Sequence, residues 1–188
     1  MKRYGMLFLL GVLTLTSCAQ QQKAPNGPNK KEVPAGKGSA VNTTGDQLVF
    51  ARELATFRGQ WMGTLTYLDY QSGEPYTMKA NIRIDQATPG SDSFQLVYEY
   101  PNEPKANSTG RLVISDNGRM LNGETVIKKT WGDDQLLIIT EKDGEDDDKK
   151  ALIRHTYTIT SHSFTFRKEV KFDGAAQFIE RNVYTQSR

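Results

Sequence analysis

The chain has 188 residues, of which 37% are hydrophobic and 24% charged, with a formal net charge of +2 and one cysteine. That length suits a single domain with an appended segment, and a lone thiol excludes an internal disulfide or a cysteine-pair metal site. Six basic side chains (Lys2, Arg3, Lys23, Lys30, Lys31, Lys37) and two acidic ones (Glu32, Asp46) fall in residues 1–46, which leaves 18 basic against 20 acidic groups in 47–188 and excludes the concentrated positive face of a nucleic-acid binder.

Lys2 and Arg3 precede an apolar stretch from Met6 to Leu15 that ends in Thr16-Ser17-Cys18. A basic start, an apolar middle and small residues at the end are the layout of a secretory signal peptide. A run of roughly 10 apolar residues cannot cross a hydrocarbon core, which needs about 20. Leu15-Thr16-Ser17-Cys18 resembles a bacterial lipobox. The resemblance implies that residues 1–17 are removed, that the Cys18 thiol receives a diacylglycerol, and that the new amino terminus is acylated by a palmitate-like chain. Two or more buried chains hold a protein firmly to a membrane. The implied place is the bacterial cell envelope, and Ala19 after the cysteine is compatible with an outer-membrane anchor facing the periplasm.

Residues 19–45 are dense in Pro, Gly, Asn, Gln and Lys. Such a composition buries too little apolar surface to offset its ordering entropy, so residues 18–46 are read as a lipidated, disordered tether with an rms reach of about 30 Å. Asp46 is placed to cap a short helix with Phe50, Leu54 and Phe57 on one face, ending near Gly59.

Residues 47–188 are read as one all-β domain. Turn signals recur at Gln71-Ser72-Gly73, Thr88-Pro89-Gly90, Asp116-Asn117-Gly118, Gly132-Asp133-Asp134, Asp143-Gly144, Ser161-His162-Ser163 and Asp173-Gly174. Between them lie segments of alternating character, such as Met78, Ala80, Ile82 and Ile84 against Lys79, Asn81, Arg83 and Asp85. Only residues 101–109 break the rhythm with a longer connection. The pattern predicts an antiparallel up-and-down β-barrel of about eight or nine strands, since closure removes the exposed edges of a long meander.

A helix running into Gly59-x-Trp61 on the first strand resembles the opening of lipocalin-like barrels, the calycin group. The resemblance implies that Trp61 packs at the closed end under an arginine from the last strand, and Arg181 is the matching candidate. A barrel of this size can enclose one small, mostly apolar molecule. Tyr98, Tyr100, Tyr157, Phe164 and Phe166 are candidate wall residues, and Arg154, Arg167 and Arg181 candidate anchors for an acidic group. The fatty-acid-binding barrels clasp a carboxylate with R-x-Y on one face of the last strand. Here Arg181 and Tyr184 are three apart, on opposite faces of a regular strand, so that clamp is not expected.

Gly59-x-Trp61-x-Gly63 is also similar to the start of haem-binding nitrobindin-like barrels. The glycines extending that motif are replaced by Thr64-Leu65-Thr66, and His155 and His162 read as structural or solvated groups, so no cofactor is expected. The acidic run of residues 143–148 lacks the alternating oxygen spacing of an EF-hand and reads as a hairpin tip, so no metal is expected. No hydrolase, metalloprotease or nucleotide-binding motif occurs, and no catalytic residue is assigned. The function expected is a membrane-anchored envelope lipoprotein that binds or carries a small hydrophobic ligand. The alternative is a filled barrel that presents residues 101–109 and 141–150 to an envelope protein partner.

Overall fold

The computed structural model describes residues 47–69 and 72–188. Cys18, the signal segment, the tether and the Asp46 cap lie outside these residues. The described chain opens with one α-helical turn, α1 (Ala51–Leu54), which tightens into a 3-10 turn over Ala55–Phe57. Glu53 accepts the Phe50 backbone N–H at 2.8 Å, satisfying a donor that the helix start would otherwise orphan. Leu54 and Phe57 are buried, whereas Phe50 stays half-buried.

Ten antiparallel strands follow in simple meander order and close on themselves through β1–β10 pairing. They are β1 (Gly59–Leu68), β2 (Pro75–Gln86), β3 (Ser93–Glu99), β4 (Ser108–Ser115), β5 (Met120–Leu121), β6 (Glu124–Gly132), β7 (Gln135–Asp146), β8 (Lys149–Ile159), β9 (Ser163–Phe172) and β10 (Ile179–Ser187). The strand beyond the expected eight or nine is the two-residue β5, created by Asn122-Gly123. Both residues have positive φ (54° and 73°), the tight hairpin geometry that Asn-Gly favours. The reading of Asp143-Gly144 as a turn is corrected. Both residues lie within β7, and the chain reverses at Asp147-Asp148 (φ 53° and 57°). The longer hairpin sets Glu145 opposite Lys150 and Asp146 opposite Lys149, pairing opposite charges across the strands.

One end of the barrel is an apolar plug. Trp61, Ile82, Ile84, Phe94, Leu112, Ile114, Leu121, Leu136, Ile138, Ile159 and Phe164 fill it, with Leu54 and Phe57 closing it from below. Phe164 meets Trp61 edge-on at 5.0 Å and stacks on Phe57 at 5.5 Å. The glycines flanking Trp61 answer separate demands. Gly59 turns the chain from helix to strand at φ 126°, and a Cβ on Gly63 would lie 2.0 Å from the Thr185 carbonyl oxygen of β10. The closing ladder therefore requires Gly63.

The arginine that covers Trp61 is Arg188, not Arg181. Its guanidinium sits 4.2 Å from the indole centroid and donates to the carbonyls of Arg58, Thr56 and Ser161 at 2.8, 3.1 and 3.0 Å. Arg181 is held elsewhere, because a β-bulge between Glu180 and Asn182 turns it inward near the opposite end. Arg188→Ala should lower stability by about 1–3 kcal/mol, from lost hydrogen bonds and the lost cation–π contact. Arg181→Ala should leave Trp61 fluorescence unchanged. Urea unfolding followed by tryptophan emission reads both, and an Arg188 variant as stable as wild type would refute the assignment.

Candidate functional site

The barrel wall is not equally high all round. β4 pairs with β5 only through Ile114 and Ser115, and β6 pairs with β7 only as far as Glu141. Above that level Ser108–Leu112 of β4 and Lys142–Asp146 of β7 have no strand paired on the sides next to the β5–β6 hairpin. The short β5–β6 hairpin thus leaves a notch in the wall, and Asn122 at its tip caps β4 by binding both the N–H and the carbonyl of Val113.

Side-chain parity identifies what the notch exposes. The cross-strand pairs Thr140↔His155, Ile138↔Tyr157, Tyr157↔Phe166 and Phe166↔Tyr184 share one face with the buried Ile138 and Tyr157, so all of them point inward. Phe166 is the centre of the stack, with Tyr157 at 4.9 Å, His155 at 5.2 Å and Tyr184 at 6.1 Å. Tyr98 tilts against Tyr184 at 5.5 Å. Phe166, Tyr98 and Tyr184 are only partly buried although they face the lumen. The Tyr184 hydroxyl meets that of Tyr100 at 2.7 Å. Burial pushes all four tyrosines above their ordinary pKa, so they are neutral hydrogen-bonding groups at physiological pH.

At the floor of the notch sits Glu124, whose side chain is 2% exposed. It accepts hydrogen bonds from the Thr140 hydroxyl (2.6 Å), from His155 Nδ1 (2.7 Å) and from Lys142 Nζ (3.0 Å). Burial alone would raise its pKa. The His155, Thr140 and Lys142 contacts outweigh burial and hold the carboxyl below the usual value. A second buried carboxylate, Asp146, accepts Lys168 Nζ and Arg181 Nε, both at 2.7 Å. Burial again raises its pKa, and the two cations bring it below the usual value.

The candidate site residues therefore separate. Tyr98, Tyr100, Tyr157, Phe164 and Phe166 all point inward, but Phe164 belongs to the plug rather than the notch. Arg154 and Arg167 are corrected to the outer face. Arg154 grips Glu141 at 2.6 Å and lies 3.7 Å over the Phe178 ring, and Arg167 pairs with Glu180 at 2.9 Å. Their positions follow from the period of two, since Arg154 is three residues from Tyr157 and Arg167 adjoins Phe166. Glu124, Lys142, His155 and Lys168 were missed. The signal for His155 was present, because it shares parity with Ile153, Tyr157 and Ile159. The expectation that Arg181 and Tyr184 face apart is also corrected: the bulge brings both inside, although they bind Asp146 and Tyr100 respectively rather than forming one clamp.

Below the notch little space is left. The interior cavity that runs from Asn122, Tyr98, Tyr157 and Phe166 down to Phe57 and Ile82 measures about 40 Å³. A drug-sized ligand needs roughly 300–1,000 Å³. A larger depression of about 420 Å³ lies by the β7–β8 hairpin, but it is open to solvent and away from the aromatic stack.

Fold and site together define a closed antiparallel up-and-down β-barrel with an apolar plug at its base and a polar, aromatic lumen above it. No family model and no curated protein matches the chain. Among solved structures it is similar to Rv2717c from M. tuberculosis, at 12% identity and a TM-score of 0.50 over 73% of this chain and 95% of that one, a likeness of fold alone. A mutant of the fluorescent protein UnaG aligns over 72% of this chain and 97% of its own at 10% identity, but its TM-score of 0.36 is too low to inform the site.

The two depressed carboxyls set a direction for acid stability. A carboxyl with its native pKa below its unfolded value of roughly 4 contributes stability above that pH, and the contribution is lost as pH falls through the native pKa. Denaturant unfolding should show stability dropping below about pH 4, with a shallower drop in Glu124→Gln. At neutral pH Glu124→Ala should cost about 3–5 kcal/mol, because it strips the acceptor from a buried charged cluster. An unaltered acid profile in Glu124→Gln would contradict the assigned role.

Proposed function

We propose that this chain is a cell-envelope lipoprotein, anchored through acylated Cys18 and a tether, whose barrel binds or carries a small hydrophobic molecule at the wall notch. The supporting observation is the partly exposed inward stack of Phe166, Tyr98 and Tyr184 above a sealed base. Exposed aromatic faces inside a barrel gain free energy when an apolar molecule displaces their water, at roughly 25 cal/mol per Å² covered. Outer-membrane placement facing the periplasm is part of the proposal and rests on Ala19 following the acceptor cysteine.

The same filled base favours a second reading. Residues 101–107 and the β7–β8 hairpin tip flank the notch, and in an interaction module they form the surface presented to an envelope protein.

Two measurements separate these readings. Cys18→Ala should move the protein from the membrane to the soluble fraction on cell fractionation, and unchanged membrane association would overturn the anchor. The full chain should brighten and blue-shift Nile red, a neutral apolar dye. Phe166→Ala should weaken dye binding about tenfold while circular dichroism confirms the fold, and scrambling residues 101–107 should not. Dye binding that is absent, or indifferent to Phe166, would favour the interaction module.

A further inference from the structure

A β-strand with a neighbour on one side only turns the N–H and C=O of every second residue to whatever lies beside it. β7 is such a strand above Glu141. On one side residues 142–146 pair with β8, from Lys142↔Ile153 to Asp146↔Lys149. On the other side β6 has ended, because its ladder to β7 begins at Thr125↔Glu141. The stop is fixed, since the Asn122-Gly123 turn reverses the chain into β5 and Asn122 is committed to Val113 of β4. Among the described residues no loop backbone bonds to this edge either.

The side chains along the edge decide what pairs there. Lys142, Gly144 and Asp146 have inward parity, and both charged members are already engaged, Lys142 by Glu124 and Asp146 by Lys168 and Arg181. Asp143 and Glu145 point outward and are exposed, and among the described residues neither forms an ion pair. Beside them the depression of about 420 Å³ is lined by Asp143, Gly144, Glu145, Lys150, Ala151 and Asp173, three carboxylates against one ammonium. It offers the side chains of an added strand both space and a charge to meet. Antiparallel pairing of this edge with its own copy in a second chain, centred on Gly144, would set Asp143 against Glu145, and like charges directly opposite are destabilising. An acidic strand is rejected in the same way, so the edge selects a basic one.

We propose that the bare edge of β7 at residues 142–146 is a docking site for an extended basic segment of a partner protein, which adds to the sheet as a further strand. Its Lys or Arg side chains, at alternate positions, meet Asp143 and Glu145 on the outer face. Small residues between them stand opposite Gly144, where the wall has no side chain of its own. A Cβ at that position would lie 2.8 Å from Ile153 Cδ1, so the packing of β8 keeps it bare. Main-chain bonds supply affinity, and the alternating side chains supply specificity. The site uses the backbone edge and the outer face, so it is independent of whether the aromatic stack holds a small molecule.

Calorimetric titration of the full chain carrying Cys18→Ala, at low ionic strength, tests this with three synthetic peptides. They are Thr-Lys-Thr-Lys-Thr-Lys-Thr, its acidic counterpart with Glu for Lys, and a form of the first with Pro for both interior threonines, which keeps the charge and removes strand donors. The first peptide should bind at least about tenfold tighter than either of the others, and it should slow hydrogen exchange at the amides of residues 142–146. Asp143→Asn combined with Glu145→Gln should weaken it about fivefold, the range for two exposed charge pairs, with circular dichroism unchanged. Equal binding of the acidic peptide would overturn the basic chemistry, and equal binding of the proline peptide would overturn strand pairing. Exchange that slows at residues 108–112 of β4 instead, or no binding by any of the three, would overturn the site. Self-association on sedimentation that protects residues 142–146 without peptide would overturn the proposal in favour of a second copy of this chain.

Discussion

An antiparallel meander of ten strands has two raw edges, and the ladder between β1 and β10 removes both. That ladder runs from Met62↔Ser187 to Tyr67↔Asn182 and brings the Thr185 carbonyl so close to Gly63 that no side chain fits there. Every inward position in the barrel depends on this closure, because an open sheet would have no inside. Trp61 and Arg188 seal the same seam from its lower end, where the indole also donates to the Phe57 carbonyl at 2.7 Å and ties the helix to the barrel. The helix turn, the first strand and the end of the last strand thereby form one packed unit.

Closure is complete in its connections but uneven in height. A two-residue strand is enough to complete the ladder from β4 to β6, yet it cannot cover the taller strands beside it. The consequence is chemical as well as geometric. Below the level of β5 the lumen is filled mainly by apolar side chains, with Gln186 and the Lys129–Glu53 ion pair at its foot, and at or above it stand Glu124, Lys142, His155, Asp146, Lys168 and Arg181. Ionised groups persist inside the barrel because solvent reaches part of the set and because each carboxylate has at least two donors. The molecule is a closed cup at one end and a charged aromatic recess at the other.

This division combines two properties that oppose each other in a barrel. A barrel packed solid is stable but has nowhere to hold a guest, and a hollow one has room but a weaker core. Here the plug supplies packing through Trp61, Phe94, Phe164 and the aliphatic layer, while the wall notch leaves the faces of Phe166, Tyr98 and Tyr184 accessible. The outer arginines play no part in that recess. Their guanidiniums are satisfied by neighbouring carboxylates on the surface, as is usual for charged side chains on the solvent face of a half-buried strand.

Much of the fold was legible because it is written in local periodicity. Alternation in Met78 to Ile84 and in Phe94 to Tyr100 specifies strands and their buried faces, and Gly-, Asn- and Asp-rich turns between strands specify an antiparallel meander. The same alternation, applied to Arg154 and Arg167, would have placed both outside; each was read for its chemistry rather than its parity. Other features depend on more than one segment. The bulge at Arg181, the reversal at Asp147-Asp148 rather than Asp143-Gly144, and the choice of Arg188 as the cover of Trp61 are all decided by which partner strand lies alongside. The notch is the clearest case. Its residues come from β3, β6, β7, β8, β9 and β10, and its depth is the difference in length between the short β5–β6 hairpin and the taller β4 and β7 on either side. By itself, then, the sequence determined that this is an alternating, turn-punctuated all-β chain with a lipobox-like start, because those signals act over a few residues. Only the tertiary structure decided that Glu124 meets His155 across 31 positions and that charged groups gather at one end of the lumen, because those contacts exist only once β6, β7 and β8 lie side by side.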